Sequence, residues 1–222
     1  MINPRGALPL LAVALGLTAT LGLAACGSDQ STTSRPSASG NAAERAFLEG
    51  MVPHHESAIA MAEVAAERAQ APEIKQIAEG IADSQTPEIN QMSSIHQRLF
   101  DAPLVPDEAA HEELGLSSEE AGMGGHAADP ASALEDADPF DRAFVDEMVP
   151  HHQGAITMAN AVLAETDDAE LRALAESIVA TQEREIEEMN AFRSERYGGP
   201  VAVRTAPPPR EATMVTRGGD HG

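Results

Sequence analysis

Aromatic residues are scarce in this chain: they make up 3% of its 222 residues, and tryptophan is absent. Platforms that stack sugars or bases are built from aromatic side chains, so such a binding role is disfavoured. Basic residues are also few, 14 against 36 acidic ones, which gives a net charge of −22. A surface this acidic repels phosphate backbones, and we expect no nucleic-acid partner.

The sequence also lacks the patterns typical of β-proteins, of phosphate-binding proteins and of enzymes with a serine or cysteine nucleophile. The two repeated blocks described below contain no alternation of apolar and polar residues, so no β-strand is predicted there. The chain has no glycine-rich phosphate loop and no serine or cysteine nucleophile beside a base. We therefore name no catalytic residues, and a binding or structural protein fits better than an enzyme.

Cysteine occurs once, at Cys26, and gives no disulfide framework. Residues 1–25 comprise Arg5, an apolar stretch and small residues before this cysteine, which is the pattern of a secretory signal. The apolar stretch is too short for a stable membrane-spanning helix. Leu23-Ala24-Ala25-Cys26 resembles the bacterial lipobox, whose cysteine is acylated. This predicts a lipoprotein anchored in the lipid bilayer on the outer face of the bacterial cell membrane; the alternative is an ordinary signal peptide followed by a chance cysteine.

Composition divides the remaining chain into five segments. A flexible, disordered tether covers residues 26–41, an acidic linker covers 100–138, and a disordered tail covers 198–222. Helical hairpins are predicted for 42–99 and 139–197, the second starting at Asp138-Pro139 as N-cap and first helical residue. Two such hairpins, each with one apolar stripe, most simply close into an all-α four-helix bundle.

The two hairpins are repeats of each other, with an offset of 97 residues between Met51 and Met148. Each opens with Met-Val-Pro-His-His, and no gap is needed from Phe47/Phe144 to Met92/Met189. This is an internal duplication. The proline of the string either kinks one helix, freeing a backbone carbonyl and re-aiming the histidines, or ends one helix and starts another.

On a helical wheel the histidines of the string flank the inward face of the first helix. The second helix carries a glutamine, a glutamate and a methionine along its apolar stripe. A carboxylate there needs a partner, and a histidine of the facing helix is the natural one. The candidate metal ligands in the two copies are Met51, His54, His55, Met61, Met92, Met148, His151, His152, Met158 and Met189. The residues expected to complete the site, or to orient its ligands, are Gln85, Glu88, Gln182 and Glu185.

Imidazole nitrogens with thioether sulfurs suit copper, and Cu(I) above all, better than Mg²⁺ or Ca²⁺. Zinc or iron could also use part of the set. The predicted function is copper sequestration or delivery. The alternative is a structural or protein-interaction bundle with a buried His/Glu/Gln core, and a redox enzyme is a third reading. Glu108-Ala-Ala-His111 has the Glu-x-x-His spacing of a di-metal motif but stands alone in the linker, so it is not assigned to a site. Met123-Gly-Gly-His126, Met214 and His221 could add loose metal capture sites, but they are read as solvated residues outside the site.

The strings from Phe47 to Met61 and from Phe144 to Met158, with Gln85, Glu88, Met92 and their counterparts, resemble the bacterial domain-of-unknown-function 305 family. The resemblance covers residues 44–196 and implies a ferritin-like four-helix architecture in an exported protein. Some relatives are associated with copper handling outside the cytoplasm. A di-iron oxidase, the usual ferritin-like chemistry, is disfavoured because the paired Glu-x-x-His helices are missing.

Overall fold

The computed structural model describes residues 39–124 and 130–201, and every regular element in these ranges is helical. The helices are α1 (Ala42–Arg68), α2 (Pro72–Phe100), α3 (Pro130–Glu135), α4 (Phe140–Glu165) and α5 (Ala169–Tyr197), with a 3-10 helix at Ala110–Leu114. Helices α1 and α2 form one hairpin and α4 and α5 the other. The predicted all-α fold of two repeated hairpins is confirmed.

Several sequence predictions concern residues that lie outside these ranges, namely the signal sequence, Cys26, His126, Met214 and His221. Within residues 39–124 and 130–201, none of the helices combines the length and the apolar character that crossing a bilayer requires.

Side-chain capping occurs at the start of two of the four long helices, α1 and α5. Asn41 and Glu44 form a capping box at α1, each side chain accepting the other's backbone N–H at 2.8 Å. Asp168 caps α5 with its side chain. The prediction for α4 was wrong by one residue: the cap is Pro139 and not Asp138. Pro139 has an extended backbone (φ −72°, ψ 129°), so helical dihedral angles begin only after it.

The prolines of the two repeated strings lie inside continuous helices, Pro53 in α1 and Pro150 in α4, so neither ends a helix. A proline has no N–H, which leaves the carbonyl four residues earlier without its helical partner. In α1 this carbonyl belongs to Glu49, and it accepts the N–H of Asp107 from the linker at 2.9 Å. The carbonyl that Pro53 leaves without a helical partner thus binds the linker to α1.

The hairpins pack on each other through α1 against α4 and α2 against α5. The apolar stripes predicted from the sequence form the interior, and Phe47, Phe144, Ile81 and Ile178 are all fully buried. Each such side chain contributes about 1.5–3 kcal/mol when it leaves water.

Two carboxylates at equivalent helix starts tie the hairpins together. Asp141 at the start of α4 accepts the N–H groups of Gln70 and Ala71, in the α1–α2 turn, at 2.9 Å each. Glu44 at the start of α1 accepts the hydroxyl of Thr166, just after α4, at 2.6 Å. The exchange is reciprocal, so the duplicated halves are related by an approximate two-fold axis.

The linker is folded against the bundle over its described part. Ala110, His111 and Ala121 are buried, with His111 only 4% exposed. Its ring nitrogens contact the Glu108 carbonyl at 2.8 Å and the Ser118 hydroxyl at 3.2 Å. These two hydrogen bonds within the linker hold the His111 ring in its buried position.

Candidate metal site

Four histidines form a buried layer where α1 crosses α4. His54 and His55 come from α1 and His151 and His152 from α4, and none is more than 5% exposed. The rings of His54 and His151, which occupy equivalent positions in the repeat, lie 3.9 Å apart between centroids and are tilted by 43°. The approximate two-fold axis thus brings both halves of the predicted site together.

Glutamates from the second helix of each hairpin hold one ring nitrogen of this layer. Nε2 of His55 lies 2.9 Å from Glu88, and Nε2 of His152 lies 2.8 Å from Glu185. The expectation that the buried carboxylate would pair with a histidine of the facing helix is confirmed in both copies. A carboxylate only accepts hydrogen bonds when it is ionised, and in that form it places the proton on Nε2 and leaves the lone pair on Nδ1.

His54 is held differently from the glutamate-paired rings. Its Nε2 lies 3.0 Å from the backbone carbonyl of Ala121 in the linker. A carbonyl also only accepts, so His54 likewise carries its proton on Nε2 and has a free lone pair on Nδ1. Three of the four imidazoles therefore have the same tautomer, each fixed by an oxygen that contacts Nε2.

The Nδ1 atoms of this layer lack hydrogen-bond partners. Nδ1 of His54, His55, His151 and His152 is buried without a hydrogen bond to any described residue. The side-chain amides of Gln85 and Gln182, both 2% exposed, also have neither their oxygen nor their nitrogen paired. Buried polar atoms are almost always satisfied by protein, water or an ion. These unsatisfied atoms are therefore candidates for contact with a ligand.

The electrostatics keep His54, His55 and His151 neutral at physiological pH. Burial, and then repulsion from a neighbouring imidazole, lowers the pKa of His54 and of His55 from 6.5 to about 3. The same causes lower the pKa of His151 well below its ordinary value. Burial and the nearby Glu185 raise the pKa of Glu88 from 4.5 to about 7. Neutral imidazoles offer lone pairs to a metal without first losing a proton.

The six repeated methionines are all fully buried. They belong to two core clusters, and each cluster contains methionines from both hairpins. One core cluster contains Met51, Met92 and Met158. The other contains Met61, Met148 and Met189. Each cluster thus contains thioethers from three helices. The offset of 97 residues relates every methionine of one cluster to a methionine of the other.

Within residues 39–124 and 130–201, no three histidine, cysteine, aspartate or glutamate side chains are arranged so as to hold a metal ion together. Glu185 also lines a surface groove of about 330 Å³ between α2 and α5. Glu79, Asp83 and Glu188 line it, and Arg184 bridges Glu188 at 2.8 Å and Glu185 at 3.5 Å.

The sequence reasoning missed another buried histidine, His96, which is 1% exposed. Its Nε2 lies 3.0 Å from Glu49 and its Nδ1 lies 3.0 Å from the carbonyl of Ala102, so both nitrogens are satisfied. The repeat alignment contains the signal that finds it. The offset of 97 residues pairs His96 and Glu49 with Arg193 and Asp146, which form a salt bridge in the second hairpin.

The family model of a domain of unknown function, DUF305, matches residues 30–193. The chain belongs to the DUF305 family. CopM in its Cu(I)-bound form is 32% identical to this DUF305 chain, covering 70% of it and 98% of CopM, with a TM-score of 0.58. CopM has also been solved in Cu(II)-bound, silver-bound and apo forms.

Two further relatives bear on the fold and on the extent of the likeness. A DUF305 protein from Streptomyces coelicolor, described as secreted, has a TM-score of 0.63 at 24% identity, covering 73% of this chain and 98% of that one. At this identity the likeness concerns the fold alone. Uncharacterized protein L153 of Acanthamoeba polyphaga mimivirus is 46% identical over 56 residues. That segment is 25% of this chain and 37% of the length of the viral protein.

Proposed function

We propose that this DUF305 protein is an extracytoplasmic, lipid-anchored protein that binds copper for sequestration or delivery. The observation that carries the proposal is the layer of four buried imidazoles whose Nδ1 atoms have no hydrogen-bond partner. An unsatisfied buried polar group costs about 1–3 kcal/mol, so four in one layer are costly without a ligand. A cation that accepts lone pairs would offset this cost.

The choice of copper rests on the donor types around the layer. Neutral imidazole and thioether are soft to borderline ligands, which favour Cu(I) over the oxygen-seeking Mg²⁺ and Ca²⁺. Zinc would accept the imidazoles but gains little from thioethers. The copper-bound and silver-bound forms of CopM support the same metal class for a related bundle.

The geometry favours one central site over two separate ones. His54 and His151 contact each other across the approximate two-fold axis, and each methionine group draws on both hairpins. Neither hairpin alone therefore presents a full donor set. Gln85 and Gln182, buried and unpaired, are available to ligands or to water inside the same region.

Titration with Cu(I) in competition with a chromogenic chelator tests the proposal. The double variant H54A/H151A should bind Cu(I) at least about tenfold more weakly, since it removes two donors. The matched control is H96A, which removes a buried imidazole whose nitrogens are both already satisfied. We expect H96A to lose stability but to keep the affinity of the unmodified chain. Wild-type affinity in the double variant would contradict the proposal.

The role of the thioethers calls for a separate substitution. Met158→Leu keeps the volume and apolar character of a fully buried side chain but removes its sulfur. Affinity for Cu(I) and for Ag⁺ should fall while affinity for Zn²⁺ stays unchanged. Met123→Leu, at a partly buried methionine that packs against the same cluster, is the control.

Anchoring at Cys26 is tested by the variant Cys26→Ser. If Cys26 is acylated, the wild-type chain should partition into the detergent phase of a membrane extract, and the variant should not. Equal partitioning into the aqueous phase by both would contradict the lipid anchor and leave metal binding untouched.

A second candidate function is a structural bundle whose buried polar layer only fixes how the helices pair. The His–Glu contact within each hairpin favours it, since one joins α1 to α2 and the other joins α4 to α5. In that case Cu(I) would leave the melting temperature unchanged. A metal-binding protein is instead stabilised by its ligand according to mass action.

A further inference from the structure

The described part of the linker includes a segment, residues 117–122, that folds on itself over the histidine layer. The N–H of Ala121 bonds to the carbonyl of Ser117 at 2.9 Å, and that of Gly122 to Glu119 at 3.1 Å. The hydroxyl of Ser118 contacts buried His111 at 3.2 Å. We call residues 117–122 the strap. Its shape is thus set by short-range hydrogen bonds and by one buried imidazole.

The strap lies against α4 with backbone touching backbone. A Cβ atom on Gly154 would collide with the backbone of Ala121 and Gly122. On the strap side, Gly122 has φ +70°, and a Cβ there would lie 2.8 Å from the carbonyl oxygens of Pro150 and His151. Only glycine at both places permits this approach.

The repeat indicates that these glycines serve the strap and not the helix. The position equivalent to Gly154 in the first hairpin is Ser57, and the position equivalent to Gly50 is Glu147. Gly50 also faces the linker, because a Cβ there would lie 3.3 Å from Ala110. Gly50 and Gly154 thus each lie where the linker touches a helix, and the equivalent position in the other copy holds a larger residue.

We propose that the strap is a built-in component of the metal site, with the carbonyl of Ala121 as the positioning group for His54. This inference rests on the proposed function. The carbonyl of Ala121 holds the proton of His54 on Nε2, as Glu88 does for His55. It thereby leaves the lone pair on Nδ1 of His54, and the strap lies against the opposite nitrogen of that buried ring. Exchange of metal at His54 then requires the strap to move.

The test displaces the strap by single-methyl substitutions and uses the full chain. Gly154→Ala pushes the strap off α4 from the helix side, and Gly122→Ala does so from the strap side. The control Gly80→Ala adds the same methyl group to α2, where a Cβ meets nothing within 4 Å. Should Gly154→Ala fail to fold, shown by circular dichroism, Gly122→Ala carries the experiment.

Two readouts separate positioning from a purely structural role. The ¹⁵N shifts of the His54 ring should report a protonated Nε2 and a bare Nδ1 in the wild type and in Gly80→Ala, and a mixture of tautomers in the strap variants. Release of Cu(I) to an excess of chelator should be about tenfold faster in the strap variants, as expected for the loss of one hydrogen bond. Unchanged tautomer and unchanged release in folded strap variants would overturn the inference. If the wild type binds no Cu(I), the proposed function fails, while the tautomer measurement still decides whether the strap positions His54.

Discussion

Lowering the pH of the metal-free protein from 7 to 5 should destabilise it, because the core contains imidazoles that resist protonation. The pKa of His54 and that of His55 are lowered from 6.5 to about 3 by burial and by neighbouring imidazoles. In the unfolded chain both groups return to the ordinary value and take up a proton below pH 6.5. The unfolded state then binds more protons than the native state, and stability falls as pH falls.

The magnitude follows from the same shifts. Below pH 6.5 each imidazole that stays neutral in the native state lowers the free energy of unfolding by about 1.4 kcal/mol per pH unit. Between pH 7 and 5 this amounts to about 2 kcal/mol per imidazole. Glu88 acts in the opposite direction. Its pKa of about 7 lies above the ordinary 4.5, so the folded state gains stability as Glu88 is protonated, which offsets about one imidazole. The net loss is about 2 kcal/mol, and His151 adds to it because its pKa is also lowered.

Urea denaturation of chelator-treated protein, followed by far-ultraviolet circular dichroism at several pH values, measures this slope. In His54→Gln the slope of the unfolding free energy against pH, below pH 6.5, should decrease by the amount that corresponds to about one bound proton. Asp168 does not interfere, because its pKa is lowered and its contribution is lost only in stronger acid. Equal stability at pH 7 and 5, with an unchanged denaturant slope, would refute the reasoning and indicate histidines that titrate normally.

Three further outcomes are expected. Asp141→Ala should lower the free energy of unfolding by about 1–3 kcal/mol in urea titrations, because two N–H groups of the α1–α2 turn lose their acceptor. Glu185→Gln should weaken Cu(I) binding by about 10–100-fold in chelator competition, because the orienting partner of a ligand is altered, whereas Glu188→Gln at the groove mouth should not. Ile81→Ala should cost about 2–5 kcal/mol by thermal or urea unfolding, since its side chain is fully buried; a cost below 1 kcal/mol would contradict the packing described here.

The inward faces of the helices could be predicted because burial follows the helical period. The histidine–glutamate pairs could be predicted too, since a carboxylate on an apolar stripe needs a partner and the facing helix offers an imidazole. The start of α4 at Asp138 was mistaken because cap preferences rank residues without knowing where the chain turns.

Tertiary arrangement decided the features that periodicity could not supply. A helical wheel places Met61 on an inward face, but it cannot say that Met148 and Met189 of the other hairpin share its cluster. The linker has no periodic pattern, and its path depends on a carbonyl released by Pro53 and on the bare backbone at Gly154. The contact of Ala121 with His54 follows from that path, so it could not be read from the sequence.

The two halves of the repeat have changed differently, and the difference bears on what the central layer does. Glu49 and His96 in the first hairpin correspond to Asp146 and Arg193 in the second, so this contact persists while its chemistry differs. A network that only joins helices tolerates such exchange, because an arginine can replace a histidine as the donor to a carboxylate. In the central layer the imidazoles, thioethers, glutamines and glutamates are the same in both copies. Hydrogen bonding alone would not require thioethers or unpaired Nδ1 atoms, whereas lone-pair donation to a soft cation uses both, which favours metal binding over a structural role.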